Sequence, residues 1–145
     1  MTGEGVGEGR VCYIPQILGG STRLLAAAYQ AALGGEVYAA PDSDASTDQL
    51  AAPYLNGDEC YPQVVVLGDF LKVMQQERFV PERTTFVLPT SGGPCRFGQY
   101  GEHLKAVLAE RNAEAVEVVS PTFDNGYLGL GWRGVRFIWW AIVMD

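Results

Sequence analysis

Residues 10–39 read RVCYIPQILGGSTRLLAAAYQAALGGEVYA, and this stretch decides the fold class. Arg10 to Pro15 is a short β-branched and aromatic run of the kind that forms a strand. Gly19-Gly20 breaks it. Ser21 stands where an N-cap belongs, and Leu25, Ala28, Tyr29 and Ala32 recur at i, i+3, i+4 and i+7, the apolar face of an amphipathic helix. Gly34-Gly35 closes that helix, and Glu36 to Ala39 supplies a second strand. A strand, a helix and a strand in so short a span form a βαβ unit, with parallel strands and a right-handed crossover.

The alternation continues outward. Pro41 to Asn56 starts polar and carries a weak helical turn around Thr47 to Leu55. Val64 to Leu67 alone suits a strand, but Leu67, Phe70, Leu71 and Met74 have helical spacing and Pro62 suits a first turn, which predicts a helix from about Pro62 to Gln76. Thr84 to Pro89 is the clearest strand. A loop from Thr90 to Tyr100 leads to a helix with Leu104, Val107 and Leu108 facing inward, and Val116 to Ser120 is the last strand. Pro121 to Gly134 reads as a glycine- and aromatic-rich loop before a final helix marked by Phe137, Trp140, Ala141 and Met144. The expected fold is α/β: a Rossmann-like three-layer domain over residues 10–145, with a mainly parallel sheet of about four strands. Residues 1–9 read as a flexible linker. The final helix is apolar almost all round and reaches Asp145 without a stop signal, the pattern of a fragment of a larger protein that docks another domain or subunit.

Composition narrows the function. The net charge of −7 repels phosphate backbones, which argues against a nucleic-acid partner. The longest uncharged apolar run, Phe137–Met144, falls far short of the roughly 20 residues of a membrane span. The acidic, glycine-rich start lacks the features of a signal peptide, so a cytoplasmic location is expected, where thiols stay reduced. Three widely spaced cysteines in that setting read as ligands, reactive thiols or core residues rather than disulfides.

Cys60 and Cys95 each neighbour a proline-containing turn at the predicted start of a helix. Unpaired N–H groups and the positive helix end favour a thiolate there, the form that binds metal. Gly92 and Gly93 would let backbone N–H groups approach sulfur closely, a feature that tunes iron–sulfur clusters. The same two residues also fit as small buried thiols, and no CxxC pair is present to decide between the readings. Cys12 lies within a strand, where a core residue fits. Arg96 either donates hydrogen bonds to a cluster or an anionic group, or is a surface arginine. His103, the single histidine, falls on an exposed or flanking helix position; Asp58 and Glu59 beside Cys60 suit the positive start of a helix. Gly129-x-Gly131-x-x-Gly134 matches a dinucleotide fingerprint in letters but lacks the tight strand–loop–helix setting. No P-loop lysine motif and no GxSxG elbow occur.

Cys60-Tyr61-Pro62 with Leu67-Gly68-Asp69-Phe70-Leu71-Lys72, followed by Pro89-Thr90-Ser91-Gly92-Gly93-Pro94-Cys95-Arg96-Phe97-Gly98-Gln99-Tyr100, resembles the 2-hydroxyacyl-CoA dehydratase-related family. The resemblance is closer to the large bacterial CoA-substrate-specific enzyme activases. Ile14-Pro15, Ser120-Pro121-Thr122 and Asp124-Asn125-Gly126 also match, so the likeness spans nearly all of residues 10–145. It implies an α/β fold whose cysteines hold a [4Fe–4S]-type cluster and receive low-potential electrons from an ATPase of actin-like fold. Cys60 and Cys95 match motif cysteines; Cys12 matches a first cysteine loosely; Arg96 and Gly93 would contact the cofactor. The implied partners are other domains or subunits of an activase- or dehydratase-like assembly, with self-association as a further option. The expected function is an iron–sulfur electron-transfer module that is not the ATPase component. The alternatives are a cluster-free structural or interaction domain and a zinc site built from the same thiolates.

Overall fold

The computed structural model describes residues 9–17, 19–122, 128 and 131–143. The sheet has four parallel strands, β1 (Val11–Ile14), β2 (Glu36–Ala39), β3 (Thr84–Val87) and β4 (Glu117–Val119), in the order β2-β1-β3-β4. The βαβ reading of residues 10–39 therefore holds: Val11 pairs with Glu36 on one side and Thr84 on the other, and α1 (Thr22–Leu33) connects β1 to β2. Gly34 ends α1 with φ +72°, and its N–H donates to the Gln30 carbonyl at 3.0 Å. A left-handed residue at that position favours glycine.

Three helices fill the connection from β2 to β3 and from β3 to β4: α2 (Ala45–Ala51), α3 (Tyr61–Met74) and α4 (Tyr100–Glu110). The weak turn at Thr47 is thus a true helix. Asp44 caps it by accepting from Ser46 N–H, while Thr47 Oγ1 accepts from the Asp44 N–H, a reciprocal capping box. The run from Val64 to Leu67 is helical, as its spacing with Phe70 and Met74 required.

Alternation along the strands divides the core in two, because successive side chains face opposite sides of a sheet. Tyr13, Phe86 and Leu88 join Val66, Leu67, Phe70, Leu71, Leu104, Val107 and Leu108 in one cluster under α3 and α4. The Phe70 and Phe86 rings, both fully buried, stack at 4.2 Å. Cys12, Ile14, Val37 and Val87 face the other way, onto Leu25, Ala26 and Tyr29 of α1. The three-layer, Rossmann-like arrangement is therefore the observed one.

Two local expectations change. Ser21 ends a 3₁₀ turn with helical backbone angles, so its side chain caps nothing, and its hydroxyl is buried without a hydrogen-bond partner. The final helix, α5, starts earlier than read, at Gly131, and runs to Val143. Gly131 and Gly134 of the apparent dinucleotide motif are therefore residues of this helix, and Gly129 lies outside the described residues, as do Asp124-Asn125-Gly126 and the linker up to residue 8. Helix α5 packs on α1 yet leaves Trp132, Phe137, Trp139, Trp140 and Val143 more than half exposed. No described helix is long and apolar enough to cross a membrane.

Candidate metal centre at the carboxyl edge of the sheet

In a parallel sheet the crossover helices run back against the strands, so helix starts and strand ends share one edge. Cys60 is the residue before α3 and Cys95 follows β3, which puts both at that edge. Their local geometry is alike. Each backbone is extended (φ −75°, ψ 146° for Cys60; φ −73°, ψ 128° for Cys95), and each carbonyl accepts from the N–H three residues on, that of Gln63 at 2.9 Å and of Gly98 at 3.3 Å. Neither sulfur caps its helix. Each thiol is thus held at the mouth of a helical turn and aimed elsewhere.

Two contacts tie the turns together. The Tyr100 hydroxyl, on the first residue of α4, lies 2.6 Å from Cys60 Sγ. Arg96 Nη1 donates to the Asp58 carbonyl and stands 3.9 Å from Asp58 Oδ2. Tyr100 is 5% exposed, and the Phe97 ring meets it edge-on at 5.0 Å. Burial, with the sulfurs of Cys60 and then Cys95 near the phenol, pushes the Tyr100 pKa far above its usual value. The phenol therefore stays protonated, and either its O–H or the Cys60 S–H donates across this contact. The Tyr100–Cys60 and Arg96–Asp58 contacts bring the turns that carry Cys95 and Cys60 together across 35 residues of sequence.

The loop that carries Cys95 folds tightly on itself. A Cβ at Gly98 would fall 2.6 Å from the Ser91 carbonyl oxygen, so only glycine lets the two ends of the loop approach. Gly93 adopts φ +86° with open space around it.

Cys12 is elsewhere. It is 1% exposed, on the α1 side of β1, whereas Cys60 packs against the α3 and α4 side. Burial first, then Glu117, raise its pKa to about 11, and Arg10 offsets only part of this. It behaves as a core thiol, and the sheet separates it from Cys60. His103 is occupied as well: Gln63 Nε2 donates to its Nδ1 at 2.8 Å, which leaves Nε2–H to donate to the Tyr54 carbonyl at 3.1 Å. Glu59 accepts from the N–H groups of Asn56 and Gly57, and these bonds lower its pKa; it organises the turn before Cys60 rather than the helix start. Among the described residues no three Cys, His, Asp or Glu side chains converge as a metal site.

A second polar feature at this edge was not singled out from the sequence. Asp69, fully buried in α3, accepts from Gln16 N–H and Ser43 Oγ, each at 2.9 Å. Burial raises its pKa. Lys72 Nζ donates to the Asp42 carbonyl at 2.9 Å and pairs with Asp44 at 2.8 Å. These groups join α3 to the loops after β1 and β2, beneath a cleft of about 620 Å³ bordered by Gln16, Arg23, Asp42, Ser43 and Tyr61. The signal was present: one carboxylate and one lysine, three apart, interrupt an otherwise apolar helix.

Cys60 and Cys95 are thus two thiols on adjoining turns, and Cys12 packs with the α1 side of the sheet instead. No family model, no curated protein and no solved structure matches the chain.

Proposed function

We propose that this domain binds an iron–sulfur cluster of [4Fe–4S] type and serves a low-potential electron-transfer system in the cytoplasm. Cys60 and Cys95 supply two thiolates; the remaining ligands come from a partner chain or from outside the protein. The observation that carries the reading is the pair of cysteine turns held together by Tyr100 and Arg96 at the edge where parallel sheets place their ligands. A cluster held there supplies one-electron transfer. The protein's own part is to present the sulfurs, fix the spacing of the two turns through the Arg96–Asp58 contact, and shield the Cys60 side with Phe97 and Tyr100. The expected partners are other domains or subunits of an activase- or dehydratase-like assembly, including an ATPase of actin-like fold as electron donor.

Anaerobic reconstitution with iron and sulfide, read by metal analysis, absorption and electron paramagnetic resonance, tests this. Wild-type protein should take up iron, and Cys95→Ala and Cys60→Ala should each lose it. Unchanged iron content in both variants refutes the assignment, and zinc retained in place of iron would replace it with a structural zinc site.

The exposed Trp132, Trp139 and Trp140 on α5 favour a second reading, a cluster-free interaction domain whose aromatic helix docks a neighbour. Anaerobically purified protein that holds neither iron nor zinc, and takes up neither, selects it.

A further inference from the structure

We infer that the cleft across the ends of β1 and β2 is a small-molecule site for a ligand carrying a ribose phosphate, with its vicinal hydroxyls on Asp42 and its phosphate on Arg23 and the glycine turn that opens α1. No cysteine takes part in it.

The place follows from the topology. From β1 the chain crosses to β2 over one face of the sheet, by α1, and from β2 it crosses to β3 over the other, by α2 and α3. The two helix layers part at the carboxyl end of β1, where open parallel sheets leave a crevice for ligands. The cleft at that point has about 620 Å³, within the range of small-molecule sites. It is bordered by the loops after β1 and β2 and by the start of α3.

Its polar groups are already oriented. Arg23 Nη2 donates to both Asp42 oxygens, at 3.0 and 2.8 Å, and Gln16 Nε2 donates to Asp42 Oδ1 at 3.2 Å. Beneath them, buried Asp69 accepts from the Gln16 N–H and the Ser43 hydroxyl, and Lys72 holds the Asp42 carbonyl. Groups one layer behind a site fix its lining in this way, which gives the carboxylate and the lysine of α3 a purpose. The Asp42 side chain is nonetheless 72% exposed, so its carboxylate keeps open lone pairs. An ionised carboxylate only accepts, and two adjacent hydroxyls are the donor pair that matches its two oxygens. A cation is the poorer match, because the Arg23 guanidinium already lies against that carboxylate. Ser43 Oγ, having given its proton to Asp69, is left as an acceptor for a further hydroxyl.

The phosphate half rests on the loop after β1. Arg23 reaches Asp42 through Nη2, which leaves Nε and Nη1 as donors among the described residues. Gly19 and Gly20 border the cleft, and a Cβ at either would meet nothing within 4 Å, so a ligand can lie against the backbone. They lead into α1, whose first turn carries no acidic side chain against its positive end. Ser21, the next residue, is 4% exposed, and its hydroxyl has no hydrogen-bond partner. Buried polar atoms are seldom left so, and a phosphate oxygen at this turn satisfies it. Asp42 lies 22 residues beyond Gly20, past the end of β2. An acid about 20 residues after a glycine turn is the arrangement with which βαβ units hold ribose hydroxyls.

The test is isothermal titration calorimetry on the full 145-residue chain with ADP, ribose 5-phosphate, the 2-deoxyribose form of each, and inorganic phosphate. ADP or ribose 5-phosphate should bind, and the tighter of the two names the source, nucleotide or free sugar phosphate. Loss of the 2′-hydroxyl should weaken binding by about tenfold or more, the worth of a hydrogen bond to a charged group. In Asp42→Ala the ribose and deoxyribose forms should bind alike. Arg23→Gln should weaken both forms and leave the ribose form preferred. Both side chains are exposed, so the variants keep the core, and circular dichroism checks this. A merely structural role for Asp42 would weaken both forms and preserve the preference between them. Each of four results overturns the inference: no binding of ADP or ribose 5-phosphate at millimolar concentration, equal binding of ribose and deoxyribose forms by the wild type, a preference that survives Asp42→Ala, or inorganic phosphate binding as tightly as either sugar phosphate.

Discussion

Gly68→Ala offers the sharpest check on the packing that positions the site. Gly68 lies in the middle of α3, where α2 crosses it. A Cβ added there would sit 2.2 Å from the Thr47 carbonyl oxygen, 2.5 Å from Thr47 Cγ2 and 2.8 Å from the Thr47 carbonyl carbon. Non-bonded carbon contacts relax near 3.5–4.0 Å, so α2 must retreat by more than about 1 Å. Two of the three atoms are backbone and cannot rotate away. Overpacking of this kind costs about 1–3 kcal/mol, while alanine in a helix interior recovers roughly 0.8–1 kcal/mol over glycine. The expected net loss is about 0–2 kcal/mol, or a fall in Tm of up to about 7 °C for a chain of this size. Gly101→Ala is the control. Gly101 is also helical, in α4, but a Cβ there meets nothing within 4 Å. Propensity acts alone in that case, and Tm should rise by a few degrees. Thermal unfolding followed by circular dichroism reads both. A Gly68→Ala protein that melts several degrees above the wild-type temperature, as Gly101→Ala should, would refute the close approach of α2 and α3.

Other consequences are as direct. Titration of the native protein with a thiol reagent at neutral pH should modify Cys95 first and Cys60 more slowly, with Cys12 reacting only on unfolding; mass spectrometry of the labelled peptides gives the order, and early labelling of Cys12 would contradict its burial. The raised pKa of Cys12 has a defined sign: between about 9 and about 11 the native state holds a proton that the unfolded state has released, so this contribution is present below pH 9 and lost as pH rises toward 11. Denaturation midpoints over that window should fall more steeply for the wild type than for Cys12→Val. Asp69→Ala leaves the Gln16 N–H and the Ser43 hydroxyl without their acceptor and should cost about 1–3 kcal/mol, whereas Asp69→Asn can still accept from Gln16 and donate to Ser43; urea melts in which the two variants are equally stable would argue against the network. All three tryptophans lie on the exposed face of α5, so native fluorescence should be quenched by acrylamide almost as freely as in the unfolded chain, and strong protection would show that this face is covered in solution.

The sequence alone determined the fold class, because two periodicities alternate along the chain and a strand–helix–strand run this short has one stable outcome, a parallel unit with a right-handed crossover. It also located Cys60 and Cys95 at helix starts, since proline and a change of pattern mark such boundaries in local sequence. Only the tertiary structure decided which cysteines share a neighbourhood. Whether a side chain in β1 faces α1 or α3 depends on which helices pack on which side of the sheet, and that removed Cys12 from the pair. The partners of Cys60 were likewise beyond local reading: Tyr100 lies 40 residues away and meets the sulfur only because α3 and α4 begin at the same edge. Periodicity reports the face a residue belongs to; which residue from another element meets it there is settled by packing, where charge, volume and hydrogen bonding act between segments far apart in the chain.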